Sequence, residues 1–355
     1  MVWNRRQNRQ IILNGLFLDK IGKQSGTYFM AVAIVRELLS KDQNYFLITT
    51  EKYSWATNQT ILVRHFNKRL RFVVESYYRN IYRNAIWLNF DYFLPYQFAG
   101  KNRIDLVVVH DLLPLDMPAA VSWLKRKWYR KQVHRSLKLS AAIITISHFC
   151  KNQIKFHFPE SSKEIHVIPN PVDIDRFSIK VEDIPNGNFE KYFVTIAAPW
   201  PHKNLATIFS AFEVLYQKFN TPLYVIGTRF NLLPQNGESE AVRYLGFLND
   251  ADLGKVILHS QAVVAPSLYE GFGMTVYEGL GLGKFVIASN LSVYIETPNL
   301  IRVDDPRSYS SWVQVLESFL VRQPTRKLIN LENLRPNVIA NRYHNLVSET
   351  NAKFK

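Results

Sequence analysis

Short apolar, β-branched runs alternate with longer stretches of helical period along this chain, and the alternation occurs twice. In the first half the pattern predicts strands at residues 11–13, 45–49, 70–75, 105–109, 141–146 and 165–168, with an apolar helix over 28–39. After Pro169-Asn170-Pro171 it restarts, with strands at 192–196, 223–226, 242–245, 263–265, 285–288 and 301–303 and a helix over 205–219. Runs this short and this continuously apolar are those of parallel strands covered on both faces. The fold class expected is α/β, with two doubly wound Rossmann-like domains facing across a cleft. The boundaries predicted are 1–172 for an N-terminal domain and 173–189 for a linker with a turn at Pro185-Asn186-Gly187-Asn188. A second domain spans 190–335, and a terminal helix over 336–355 is expected to cross back onto the first domain.

One stretch carries more than architecture. A strand at 263–265 is followed by Pro266-Ser267-Leu268-Tyr269-Glu270-Gly271-Phe272-Gly273, a short helix from about Met274 with Thr275 and Glu278, and a strand at 285–288. Gly271 and Gly273 allow a sharp turn and close approach of a ligand, and the free N–H groups of the helix start suit a phosphate. A phosphate alone does not call for acids, so Glu270 and Glu278 point to hydroxyl partners. The alternative for an acid at a helix start is complementing the macrodipole, worth roughly 0.3–1 kcal/mol.

Other segments share this strand, loop and helix order. Ala197-Ala198-Pro199-Trp200-Pro201-His202-Lys203-Asn204-Leu205 follows a strand and opens a helix, which would place Lys203 where an anion such as a phosphate arrives. Ser25-Gly26 precedes the helix at 28–39, a second loop and helix start able to face an anion. His110, with Asp111, closes the apolar run at 105–109, where open α/β sheets place ligand contacts; a buried or capping histidine is the other reading. Asp173-Ile174-Asp175 lies in the linker region and Asp250-Ala251-Asp252 reads as a cap before a helix, so neither ends a strand against a nucleotide and no metal site is expected. Gly279-Leu280-Gly281-Leu282-Gly283 follows a helix and precedes a strand, the reverse of the order in a dinucleotide fingerprint.

Charge changes the picture through its placement. The net charge is +15, and residues 1–170 hold 26 Lys and Arg against 11 Asp and Glu, so the first half carries the whole excess and meets something anionic. Two basic, aromatic-rich stretches hold much of it. One runs from 64 to 83, with Lys68, Arg69, Arg71, Arg79 and Arg83; the other from 123 to 138, with Lys125, Arg126, Lys127, Arg130, Lys131 and Arg135. Cations beside Trp and Tyr resemble a surface for anionic membranes. Nucleic acid would use the same cations, but no nucleic-acid motif accompanies them, and no nucleic-acid partner is expected. The one cysteine, Cys150, allows no disulfide within the chain and fits a reducing compartment. With no signal-peptide core and no run of about 18 apolar residues, the location expected is cytoplasmic, peripheral on the inner face of the cell membrane.

The segment Glu270-Gly271-Phe272-Gly273 through Glu278 and Gly283 resembles the glutamate, seven residues, glutamate signature of the retaining glycosyltransferases of family four (glycosyl transferases group 1), which have the GT-B fold. Lys203-Asn204, His110-Asp111 and Ile168-Pro169-Asn170 stand in the order that family has, and the resemblance extends from about residue 14 to 305. It implies transfer of a hexose, such as mannose or glucose, from a UDP- or GDP-linked sugar to a lipid-linked oligosaccharide or other glycan, as in cell-surface polysaccharide synthesis. Neither metal nor cofactor is implied. His110, Glu270 and Lys203 would be catalytic, while Gly26, His202, Lys203, Gly273, Met274, Thr275 and Glu278 would bind the donor. His202 stands where many relatives have Arg, which leaves open the second cation on the diphosphate, with Arg229 a candidate. Thr275, Gly279 and Lys284-Phe285 also depart from the family pattern. A sugar-nucleotide epimerase of the same fold, a glycosidase with a carboxylate pair and a basic binding protein are the competing readings.

Overall fold

A computed structural model of the chain describes residues 9–18, 25–56, 58–64, 67, 70–95, 104–180, 191–198, 200–227, 239–322 and 324–354. The chain divides into two compact units, Met1–Pro171 with Glu332–Lys355, and Val172–Leu331.

In the first unit the order is β1 (Ile11–Asn14), α1 (Gly26–Lys41), β2 (Tyr45–Thr49), β3 (Thr60–Leu62), α2 (Arg71–Ile81), β4 (Ile86–Asn89), β5 (Ile104–Val109), α3 (Leu113–Asp116), α4 (Trp123–Leu139), β6 (Ala142–Thr145), α5 (His148–His157) and β7 (Ile165–Val167). The strands form a parallel sheet in the order β3-β2-β1-β4-β5-β6-β7. Strand order reverses between β1 and β4, which makes that pair the topological switch point.

The expected strand over 70–75 is a helix, and β3 and β4 were not read from the pattern. The reason lies in three charged residues. Arg71, Glu75 and Arg79 recur every fourth residue, so a helix puts them on one face, whereas a strand would mix them with Val73 and Tyr77. All three are buried. Arg71 pairs with Glu75 and, at 2.8 Å, with Asp91, while Arg79 pairs with Asp105, donates to Asn89 Oδ1 at 2.8 Å and stacks on Trp87. Fixed partners on the sheet outweigh the β propensity of Phe72-Val73-Val74. Arg71 and Arg79 are therefore absent from the basic surface expected over 64–83, and Lys68 and Arg69 lie outside the described residues. With its charges inward, α2 turns Phe72, Val73, Tyr77 and Ile81 to solvent, Tyr77 being 61% exposed.

The second unit contains β8 (Phe193–Ala197), α6 (Leu205–Phe219), β9 (Leu223–Gly227), β10 (Val242–Gly246), α7 (Asp250–His259), β11 (Ala262–Ala265), α8 (Met274–Gly281), β12 (Phe285–Ser289), β13 (Leu300–Val303) and α9 (Tyr309–Arg322). Its parallel sheet runs β10-β9-β8-β11-β12-β13, so β8 and β11 are its switch pair. Alternate side chains of one strand enter different cores: Ala262 and Val264 pack with Phe212, Trp312 and Leu316, while Val263 and Ala265 pack with Ile257, Val276 and Leu280. Helices on both faces explain why β11 is apolar and buried at every position.

The linker turn expected at 185–188 lies outside the described residues. The last helix, α10 (Pro336–Lys353), belongs to the first unit. There Tyr45 Oη and His344 Nδ1 lie 2.8 Å apart, Arg342 donates to Val167 O, and Tyr343 is buried beside Phe90.

Candidate active site

Carboxyl ends of switch-point strands are where open α/β sheets bind ligands, and in the second unit those ends are the loops after β8 and β11. The first carries His202, Lys203 and Asn204. Asn204 has φ +54°, a left-handed residue that reverses the chain into α6 and donates to Pro306 O. Leu268 N donates to His202 O, which ties the second loop to the first. The second ends at Gly273, whose φ of +94° suits glycine alone; a Cβ there would meet the Tyr294 ring at 2.4 Å. The first bonds of α8 run from Val276 and Tyr277 to Gly273 O, behind the amides of Met274 and Thr275, which belong to the positive end of the helix.

Between the loops Lys203 Nζ donates to Glu270 Oε1 at 2.6 Å, and both side chains are mostly buried. Thr195, Lys203, Glu270, Gly273, Thr275 and Tyr294 line a pocket of about 290 Å³, part of it open solvent. Burial alone would raise the Glu270 carboxyl, but the Lys203 ammonium and the Ser267 hydroxyl outweigh it and hold the group below the usual carboxylate range. His202 is pushed down to about 4, by burial first and then by the Lys203 charge, so its imidazole is neutral near pH 7.

Glu278 lies farther along α8, outside the lining of this pocket. Its Oε1 accepts from Arg176 at 2.9 Å, and Arg176 also pairs with Asp250. Burial pushes the Glu278 carboxyl up and Arg176 offsets only part of that. Arg176 escaped sequence reading because its partners lie far along the chain and it sits beside an acid pair set aside as a linker. Asn249 caps α7 by accepting from Asp252 N, which leaves Asp250 to hold Arg176. Arg229 lies outside the described residues.

Two expected site residues belong to the first unit. Gly26 is the first residue of α1, with Ser25 as its cap accepting from Tyr28 N. His110 follows β5, with Nε2 2.6 Å from Phe90 O. A carbonyl only accepts, so Nε2 carries the proton and Nδ1 keeps its lone pair; burial also lowers the basicity of the ring.

Two family models match consecutive stretches that together cover more than half of the chain: Glycosyltransferase Family 4 over residues 60–176 and Glycosyl transferases group 1 over 179–299. The chain belongs to the group 1 glycosyltransferases of the GT-B fold. Among curated relatives, an O-antigen chain mannosyltransferase of Salmonella typhimurium is 27% identical over 224 residues, 61% of each chain. An O-antigen chain mannosyltransferase of Escherichia coli is 24% identical over 253 residues, 64% of this chain and 65% of that one. These matches thus span less than two thirds of either relative's length. In fold, the chain is similar to a sucrose-phosphate synthase from Thermosynechococcus elongatus, at TM-score 0.74 and 14% identity over 97% of this chain and 100% of that one. It is also similar to WaaG, a glycosyltransferase involved in lipopolysaccharide biosynthesis, at TM-score 0.66 and 14% identity over 94% and 95%.

Proposed function

We propose that this protein transfers a hexose, mannose being the favoured candidate, from a UDP- or GDP-linked donor to a glycan or lipid-linked acceptor, with retention at the anomeric carbon and without a metal. The observation that carries this is the Lys203–Glu270 pair beside the start of α8, at the switch point of the second sheet. Breaking the bond between the sugar and the diphosphate leaves negative charge on the leaving oxygen. Lys203 and the amides of Met274 and Thr275 meet that charge without reorganising, the electrostatic contribution that usually dominates such transfers. Lys203 has three donors and Glu270 takes one. Glu270, kept ionised, accepts from a sugar hydroxyl; Glu278, oriented by Arg176, accepts from the ribose; and neutral His110 offers Nδ1 to a substrate hydroxyl. Retention rests on the resemblance of the Glu270–Glu278 segment. Metal independence is supported by the Asp250 and Asp252 carboxylates being engaged with Arg176 and Asn249.

An anionic membrane is the proposed docking partner of the first unit, with polysaccharide synthesis on its inner face the setting. α4 exposes Trp123, Leu124, Lys125, Lys127, Trp128, Arg130 and Lys131 and contains no acid. Among the described residues no helix is long and apolar enough to cross a membrane.

The deciding experiment incubates the protein with UDP- and GDP-sugars and follows melting temperature, then sugar release, with and without EDTA. One nucleotide class should raise the melting temperature by mass action, and turnover should survive chelation. Stabilisation by none of them defeats the donor reading; full loss in EDTA, restored by manganese, defeats the metal-free one.

A further inference from the structure

Tyr294 lies in the loop after β12 and is 5% exposed, yet among the described residues its hydroxyl has no hydrogen-bond partner. A buried tyrosine hydroxyl normally has a partner, since leaving one unsatisfied is costly. Its surroundings show what kind of partner is missing. The ring edge lies against Gly273, where Cε1, the carbon next to the one bearing the hydroxyl, would come within 2.4 Å of an added Cβ. The absence of a side chain at residue 273 is therefore what admits the ring. Tyr294 lines the same pocket as Lys203, Glu270 and Thr275, and Glu270 is near enough for its charge to join burial in holding the phenol protonated. The phenol is thus a standing donor beside a carboxylate that only accepts.

Resting on the nucleotide-sugar reading above, we propose that Tyr294 is a specificity-determining residue whose hydroxyl donates to a hydroxyl of the transferred sugar. A phosphate oxygen accepts but cannot donate, and Glu270 repels it. A sugar hydroxyl does both: it accepts from Tyr294 and gives its own proton to Glu270, or a neighbouring hydroxyl does so. The pair therefore reads sugar hydroxyls, while Lys203 and the start of α8 read the diphosphate.

The test is Tyr294→Phe, which keeps the ring against Gly273 and removes only the oxygen. Affinities of the wild type and the variant are measured for GDP-mannose and GDP, and for UDP-glucose and UDP. For the pair that binds wild type, the variant should bind the sugar nucleotide about 10-fold more weakly and the free nucleotide within about 2-fold, since the lost contact is to the sugar. Its melting temperature without ligand should equal or exceed that of the wild type, because the removed hydroxyl has no partner in the protein. Equal losses on sugar nucleotide and nucleotide, no loss on either, or a lowered melting temperature without ligand overturns the assignment. Failure of the wild type to bind any of the four probes overturns the nucleotide-sugar reading itself, and the role of Tyr294 with it.

Discussion

The two sheets share one topology around their switch points and use it in opposite ways. At the β1–β4 switch of the first unit, Asn14 donates to Asn89, Asn89 accepts from Arg79, and Arg79 pairs with Asp105, every one of them buried. At the β8–β11 switch of the second unit, Lys203 and Glu270 also pair, but they line a pocket and keep hydrogen-bonding capacity in hand. The first network, Arg79 Nε apart, spends its polar groups on the fold, and the second holds them for a ligand. A switch point offers strand ends; only the satisfaction of the polar groups there tells a structural centre from a binding one.

The difference is broken most severely by Arg79→Met. Removing one partner of a buried, hydrogen-bonded ion pair strands Asp105 and should cost about 3–5 kcal/mol of stability, read as a large fall in the denaturant midpoint with unchanged slope. A small change would show that the first switch point is not structural.

Lys203→Ala comes next and should act on ligand first. Losing charge-assisted bonds to the diphosphate costs on the order of 1.5–3 kcal/mol, read as a fall of about 10- to 100-fold in kcat/KM. Because Glu270 is left without its cation, a modest drop in melting temperature should accompany it. Glu278→Gln should weaken nucleotide binding and also loosen Arg176, with a smaller loss of activity. Wild-type turnover in both variants would remove the site assignment.

On the surface of the first unit, replacing Lys125, Lys127, Arg130 and Lys131 with Gln should abolish sedimentation with anionic vesicles, each cation contributing roughly 1 kcal/mol. Nucleotide-sugar binding should persist in that variant. Equal binding of wild type to neutral vesicles, or insensitivity to salt, would end the membrane proposal.

The smallest effect is a titration. His202 should titrate near pH 4 by NMR, and Lys203→Ala should move it toward 6.5 by removing one of its two depressing causes. The sign for stability follows. An imidazole depressed in the folded state stays neutral while the unfolded chain protonates near 6.5, so its contribution is full above that value and is lost as pH falls toward 4.

The grouping of several candidate site residues is legible in the sequence alone. The grammar of strand, loop and helix start is local, and it placed Lys203, Glu270 and Gly273 in one kind of environment because parallel strands put their carboxyl ends on one edge. Arg176 and Tyr294 were not legible. Each acts through a partner brought close by packing: Arg176 across to Glu278, Tyr294 against the bare Cα of Gly273. The stretch 64–83 misled for a related reason. Its composition matches that of 123–138, with cations among aromatics, yet α2 points arginines inward and aromatics outward, whereas α4 exposes its lysines beside Trp123 and Trp128.

By itself the sequence determined the two α/β halves, the restart after Pro169-Asn170-Pro171 and the segments that form the anion-facing loops, because hydrophobic period and glycine placement act over a few residues. Tertiary structure alone decided which charges are consumed in the fold. A guanidinium leaves water only where acids such as Asp91 and Asp105 are already held to receive it, and in this chain those acids come from β5 and the loop after β4, elements that meet α2 only once the sheet has formed.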